Sequence, residues 1–183
     1  MASLIPIKNQ ALLLRALVEV RRHVLDVHLH IVGGGPLRSE LERLAHSLNM
    51  AAAVTFHGEI SHDRLPAYYR AADLCLLTSH YESQSMVALE AAACDRVTIG
   101  TEVGVLPELV PPEYLVSAND YQSLAGIITQ LATNHDLRNQ LSRQAHQRTM
   151  ADFTLDQAIM RWLTLYEQPG RRSTPSPART GRE

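Results

Sequence analysis

Short apolar runs alternate with helical patterns along most of this chain, and that alternation constrains the fold more than any other feature. The runs are VHLHIV (27–32), AVTF (53–56), DLCLLT (73–78) and VTIG (97–100), each of strand length. Between the first two, Leu37, Leu41, Leu44, Ala45 and Leu48 keep one face of a helix, while Arg38, Glu40, Glu42 and Arg43 keep the other. Leu12, Leu13, Ala16, Leu17 and Val20 mark an earlier helix over 9–24, and further helices are predicted over 64–71 and 85–94. Pro111-Pro112 interrupts regular structure, 114–116 reads as a last short strand, and helical spacing returns at Leu124–Leu131, Leu137–Ala145 and 155–166. The pattern predicts an α/β fold: a doubly wound, Rossmann-like parallel sheet with helices on both faces and a helical carboxyl end. DLCLLT is continuously apolar, so both faces of that strand are expected to be covered.

With 45% hydrophobic and 20% charged residues, the chain supports one domain, expected over 1–167. Residues 168–183 are rich in Pro, Ser, Gly and Arg and are expected to form a disordered tail. A net charge of −2 gives no general drive toward nucleic acid. No apolar run approaches the roughly 18 residues of a membrane span, and the first residues lack a signal-peptide pattern, so a cytoplasmic location is expected. Cys75 and Cys94 form neither a metal spacing nor a disulfide framework and read as buried thiols. The nine histidines show no ligand spacing, and no metal site is expected.

In such a sheet, ligands bind at the carboxyl ends of the strands. The polar motifs fall there: Gly33-Gly34-Gly35-Pro36, His57-Gly58, and the loop Ser79 to Ser85. The glycine run lets a ligand approach the backbone, or is simply a turn; its spacing is not that of a dinucleotide fingerprint. Lys8 lies on the same side, as a diphosphate contact or as a solvated surface charge. Glu82 is either a ligand-binding group or a capping carboxylate at the helix near Ser85, whose dipole favours an anion. Glu90, among Met86, Val87, Leu89 and Ala93, either points out to water or is held for a ligand; if buried it requires donors, which the two hydroxyls of a ribose would supply.

Together these segments resemble the C-terminal, donor-binding domain of the GT-B glycosyltransferases, in particular the retaining family 4 or "group 1" transferases. The resemblance runs through PIKNQALLLRA (6–16), HIVGGGPLRSELERLA (30–45), VTFHGEI (54–60), YYRAADLCLLTSHYES (68–83) and AAACDRVTIGTEVGVLPELV (91–110), with Glu82 and Glu90 as the E-x7-E pair. It implies a nucleotide-diphosphate sugar as donor substrate, with no separate cofactor and no metal. Lys8 matches the lysine on the donor diphosphate, and Glu82 the glutamate against the donor sugar. Glu90 matches the glutamate on the ribose, and Ser83-Gln84-Ser85-Met86 the loop whose amides meet sugar and phosphate. Gly34 and Gly35 fall at the donor side, and the base is expected near His57 and Gly58.

The departures shape the functional expectation. The family arginine five residues before the lysine is Ser3 here, and a usual small residue after the helix is Asp95, which must take a left-handed cap. Residues 1–5 correspond to the end of a strand central to a 3-2-1-4-5-6 sheet, so a short first strand or a gap is expected there, and the acceptor-binding half is expected in a separate or missing partner. The competing reading is a nucleotide-sugar-binding module without transferase activity. A response-regulator-like domain is excluded by the lack of an acidic cluster after the first strand.

Overall fold

The alternation is realised as five parallel strands and eight α-helices within residues 1–167, the part of the chain described by a computed structural model. Strand β1 (Leu29–Val32) pairs with β2 (Val54–Gly58), in register from Leu29↔Val54 to Ile31↔Phe56 with an irregularity before Val32↔Gly58. Strand β3 (Cys75–Leu77) pairs with β4 (Thr98–Thr101), which pairs with β5 (Leu115–Val116). The two groups are separate sheets of two and three strands.

Residues 2–4 explain the division. The Ala2 amide donates to the Val32 carbonyl at 2.9 Å and the Leu4 amide to the Gly34 carbonyl at 2.8 Å, two backbone bonds that tie this segment to the carboxyl end of β1. No backbone ladder among the described residues joins this segment to β3. Of the two alternatives expected there, the gap between the half-sheets is the one present, and residues 1–5 form no regular strand. Helix α1 (Gln10–Val20) holds the halves together through side chains instead. Its Leu12, Leu13, Ala16 and Val20 enter the core under β3–β5, while Leu14 and Leu17 join Leu4, Ile31, Leu41 and Val54 beneath β1–β2. Each such buried leucine contributes roughly 1.5–3 kcal/mol of burial.

Around the sheets lie α2 (Arg38–Ser47), α3 (Leu65–Ala71), α4 (Met86–Ala93), α5 (Leu106–Leu109), α6 (Tyr121–Thr133), α7 (His135–Asp152) and α8 (Leu155–Glu167). The four-residue α5 has no apolar period to announce it and begins around Pro107. Pro111-Pro112 does not abolish regular structure as expected. Pro111 caps and Pro112 starts a single 3-10 turn to Tyr114, where a missing N–H costs nothing. Strand β3 is covered less completely than its sequence suggests: Leu74, Cys75 and Leu76 are only half-buried, because β4 alone pairs with it. Cys75 and Cys94 are likewise half-buried rather than sealed, although burial still pushes the Cys75 thiol up to about 11. Asp95 does take the left-handed conformation, with φ 57°.

The amino end of α6 is fixed by Asp120, whose Oδ1 accepts from the Ser123 amide at 2.9 Å and whose Oδ2 accepts from the Ser123 hydroxyl at 2.7 Å. These bonds hold the Asp120 carboxyl below its usual pKa, the Ser123 side chain being the largest cause. A depressed folded-state pKa means a contribution present above the unfolded value of about 3.9 and lost as pH falls through the folded one. Asp120→Ala is expected to cost about 0.5–1 kcal/mol at neutral pH. The difference from the parent should shrink in urea titrations below about pH 4; a difference that is constant with pH would count against the cap.

Helix α8 forms over the segment whose helical spacing predicted it, and its apolar residues are left exposed. Leu155, Met160, Trp162, Leu165 and Tyr166 are exposed, with Trp162 and Tyr166 stacked at 6.1 Å between ring centroids. Residues 168–183, expected as a tail, lie outside the described residues.

Candidate donor site at the strand ends

The loop after β3 is fixed before any ligand is considered. Thr78 and Ser79 are buried; the Thr78 hydroxyl donates to the Lys8 carbonyl at 3.1 Å, and the Ser79 carbonyl accepts from Thr101 Oγ1 at 2.8 Å. The His80 amide donates to the Ile7 carbonyl at 2.8 Å, so the turn Pro6–Lys8 is laced to this loop. Lys8 and Glu82, 74 residues apart, then meet: Lys8 Nζ lies 2.7 Å from Glu82 Oε1. The same oxygen accepts from Ser79 Oγ at 2.8 Å. Glu82 is therefore not the helix cap; α4 begins after Ser85, and no side chain caps it.

Ser85 takes φ 70°, a left-handed conformation that a serine adopts only under local constraint. The constraint is visible: Val105 N donates to the Gln84 carbonyl at 2.7 Å, and a Cβ at Gly104 would lie 2.6 Å from that same oxygen. The result buries the Ser85 hydroxyl without a partner among the described residues, beside the free amides that open α4. Ser83, Gln84 and Met86 are exposed around it.

The glycine turn forms a second wall. Gly33 N donates to the Gly58 carbonyl at 2.7 Å, and a Cβ at Gly35 would fall 2.6 Å from Leu4 backbone atoms, so only glycine fits there. The amides of Gly34 and Gly35 have no acceptor among the described residues. Helix α2 starts a turn later than the glycine run suggests, with Leu37 as its cap. Glu59 Oε1 lies 2.9 Å from where a Gly34 Cβ would be, and Arg38 Nη1 lies 3.4 Å from where a Gly58 Cβ would be. The His57 ring is occupied elsewhere, 2.9 Å from His30 Nδ1 and edge-on to Tyr68. Burial first, then His28 and His57, lower the His30 pKa, which favours the neutral form of the His30 ring.

Glu90 sits one turn into α4, apart from the Lys8–Glu82 contact, with its Oε2 accepting from the Tyr69 hydroxyl at 2.8 Å. Ser3, where the arginine was expected, is exposed, and its carbonyl accepts from Gln10 Nε2 at 3.0 Å. Sequence reasoning missed Thr101, Gly104 and Tyr69, and placed Ser79 in the polar loop without its bond to Glu82. Ser79 carried a signal, a hydroxyl three residues before Glu82; the others act across gaps that no local pattern spans. Among the described residues no group of His, Cys, Asp or Glu side chains is arranged to hold a metal ion. A groove of about 410 Å³ between α1 and α6, lined by Glu19, His23, Gln122, Ala125, Gly126 and Thr129, includes none of the strand-end residues.

A parallel α/β domain with its polar loops gathered at the carboxyl ends of the strands has the Rossmann-like fold of GT-B glycosyltransferase domains. More narrowly, the chain belongs to the group 1 glycosyl transferases, whose family model matches residues 1–148. A D-inositol 3-phosphate glycosyltransferase of Salinispora tropica is 35% identical over 173 residues, covering 88% of this chain and 36% of that protein. A GDP-mannose-dependent alpha-(1-6)-phosphatidylinositol monomannoside mannosyltransferase of Mycolicibacterium smegmatis is 38% identical over 117 residues, 60% of this chain and 31% of that one. Among solved structures, HepE of Anabaena in complex with UDP superposes with a TM-score of 0.79 at 24% identity, over 90% of this chain and 47% of that chain. The chain thus spans about a third of the length of the curated relatives it matches.

Proposed function

We propose that this chain is the donor-binding half of a retaining, family 4 glycosyltransferase that takes a sugar from a nucleotide-diphosphate donor. The observation that carries the reading is the Lys8–Glu82 contact beside the uncapped start of α4. An ammonium, a buried unpartnered Ser85 hydroxyl and free helix amides together suit a diphosphate. When the bond from the anomeric carbon to the phosphate oxygen breaks, its electron pair leaves with the diphosphate. Lys8 and the α4 dipole stabilise that charge. Glu82 orients the sugar, Glu90 holds the ribose, and the amides of Gly34, Gly35 and the 83–86 loop line the donor path. The base lies toward Gly58, with the guanine and uracil named among relatives and structural neighbours as the candidates.

The acceptor, and the group that receives its proton, are assigned to a second half outside residues 1–167. The exposed apolar face of α8 offers such a half a surface to pack on. No helix among the described residues is long and apolar enough to cross a membrane, and the proposed setting is the cytoplasm. Serine at position 3 in place of the family arginine favours a second reading for the isolated chain, a nucleotide-sugar-binding module that does not transfer.

Purified chain incubated with GDP-mannose or UDP-glucose and an inositol-phosphate acceptor is expected to bind donor and turn it over near the hydrolysis background. Turnover well above background would overturn the inactive reading, and calorimetry showing no nucleotide binding would overturn the donor site itself. Glu90→Gln is expected to weaken nucleoside diphosphate binding by about 10-fold or more, the loss of a charge-assisted contact. Unchanged affinity would remove Glu90 from the ribose.

A further inference from the structure

Glu90 leaves an open question of geometry. A glutamate on a helix has three rotatable side-chain bonds, and ordering it against a ligand costs rotamer freedom. Tyr69 limits that freedom before a ligand arrives. It projects from α3, is 2% exposed, and donates its hydroxyl to Glu90 Oε2 at 2.8 Å. No donor among the described residues lies within hydrogen-bond range of the other oxygen, Oε1, and that atom is not sealed from solvent.

We propose that Tyr69 is a positioning residue: by fixing Glu90 Oε2 it presents the rest of the carboxylate to the two vicinal hydroxyls of a ribose. The inference rests on the reading of Glu90 as the ribose contact and names what makes that contact selective. A carboxylate has about four lone-pair sites, so one bond to tyrosine leaves capacity for both hydroxyls. Burial, and then the bond to Glu90, raise the Tyr69 pKa far above its ordinary value, so the hydroxyl stays a donor throughout the working pH range. The plainer role for the same bond is to satisfy a buried phenol. The two roles differ in what they move: satisfaction acts on folding and weakens all ligands alike, whereas positioning acts on the discrimination between ligands with and without the diol.

Calorimetry on the parent and on Tyr69→Phe, using GDP and UDP and their 2′,3′-dideoxy forms, separates them. In the parent, the dideoxy form is expected to bind about 10- to 30-fold more weakly, a hydrogen-bond loss at a charged group. In Tyr69→Phe the dideoxy affinity should stay within about 2-fold of the parent while the gap narrows to about 3-fold, since only the diol contact depends on the fixed carboxylate. A variant that keeps the parental gap, or weakens both ligands equally, overturns the role of Tyr69 and leaves Glu90 in place. A parent that shows no gap, or no binding, overturns the Glu90 reading and this inference with it. If Tyr69→Phe does not fold, the parent labelled with ¹³C at tyrosine Cζ serves instead. Its Tyr69 resonance should shift with the nucleoside diphosphate and not with the dideoxy form, and an equal response to both would overturn the proposal.

Discussion

Gly100→Ala is expected to leave the chain largely unfolded. Gly100 lies in β4 at φ 144°, a conformation that strains any side chain, and a Cβ there would stand 1.7 Å from the Leu77 carbonyl oxygen and 2.7 Å from its carbon. Both atoms are backbone of β3, the strand paired with Gly100, and Leu115 of β5 pairs on its other side. Neither neighbour can retreat without breaking a ladder. Strain of about 1–3 kcal/mol and overpacking of a similar size, occasionally more, together reach the lower end of a domain's stability, about 5–15 kcal/mol. The damage would reach the site, because the next residue, Thr101, holds the Ser79 carbonyl. Gly126→Ala is the control of opposite sign: in the middle of α6, with nothing within 4 Å of its Cβ, it should stabilise by about 0.4–1 kcal/mol. Urea midpoints compare the two, and a Gly100→Ala protein as stable as the parent would mean that β3 and β4 are not packed as described.

Gly100 also shows what the sequence conceals. VTIG reads as a strand because its apolar residues are continuous, and the glycine at its end reads as ordinary punctuation; only the paired backbone of Leu77 makes it obligatory. The helices were legible for a simple reason: Leu12, Leu13, Ala16, Leu17 and Val20 repeat with the helical period whatever they pack on. Which of them serves which half of the core was not legible, since neighbours such as Leu13 and Leu14 enter different clusters. Strand lengths were overread where pairing decides them. Val27 and His28 have strand character, but the ladder begins at Leu29↔Val54. The site divides in the same way. Glu90 announced itself as a carboxylate on an apolar helix, but its donor, Tyr69, is set by the packing of α3 on α4. Lys8 and Glu82 were each picked out separately, and their direct contact, which only tertiary structure creates, changes what a substitution at either should do.

Lys8→Met is expected to lower affinity for GDP or UDP by about 10- to 100-fold, the range for a lost hydrogen bond to a charged group. The loss in any transfer step should be about 10²- to 10³-fold, since the ammonium would act on charge that grows as the diphosphate leaves. Glu82→Gln now has an expected sign that the sequence did not supply. With no ligand bound, Glu82 holds the Lys8 ammonium at 2.7 Å, so a diphosphate must compete for it. The pair is partly solvated, at 22% and 14% side-chain exposure, so breaking it costs on the order of 1 kcal/mol or less. Replacing the carboxylate by an amide releases Lys8 and should raise affinity for sugar-free GDP or UDP by about 2- to 5-fold. A nucleotide sugar loses the carboxylate that would orient its sugar, so its affinity should fall in the same variant. Calorimetry with both kinds of ligand checks the two signs together. A gain for both would place Glu82 as a competitor for Lys8 alone, and a loss for both would show that the ion pair helps to build the diphosphate site. In Lys8→Met the Glu82→Gln gain should disappear, because there is no ammonium left to release.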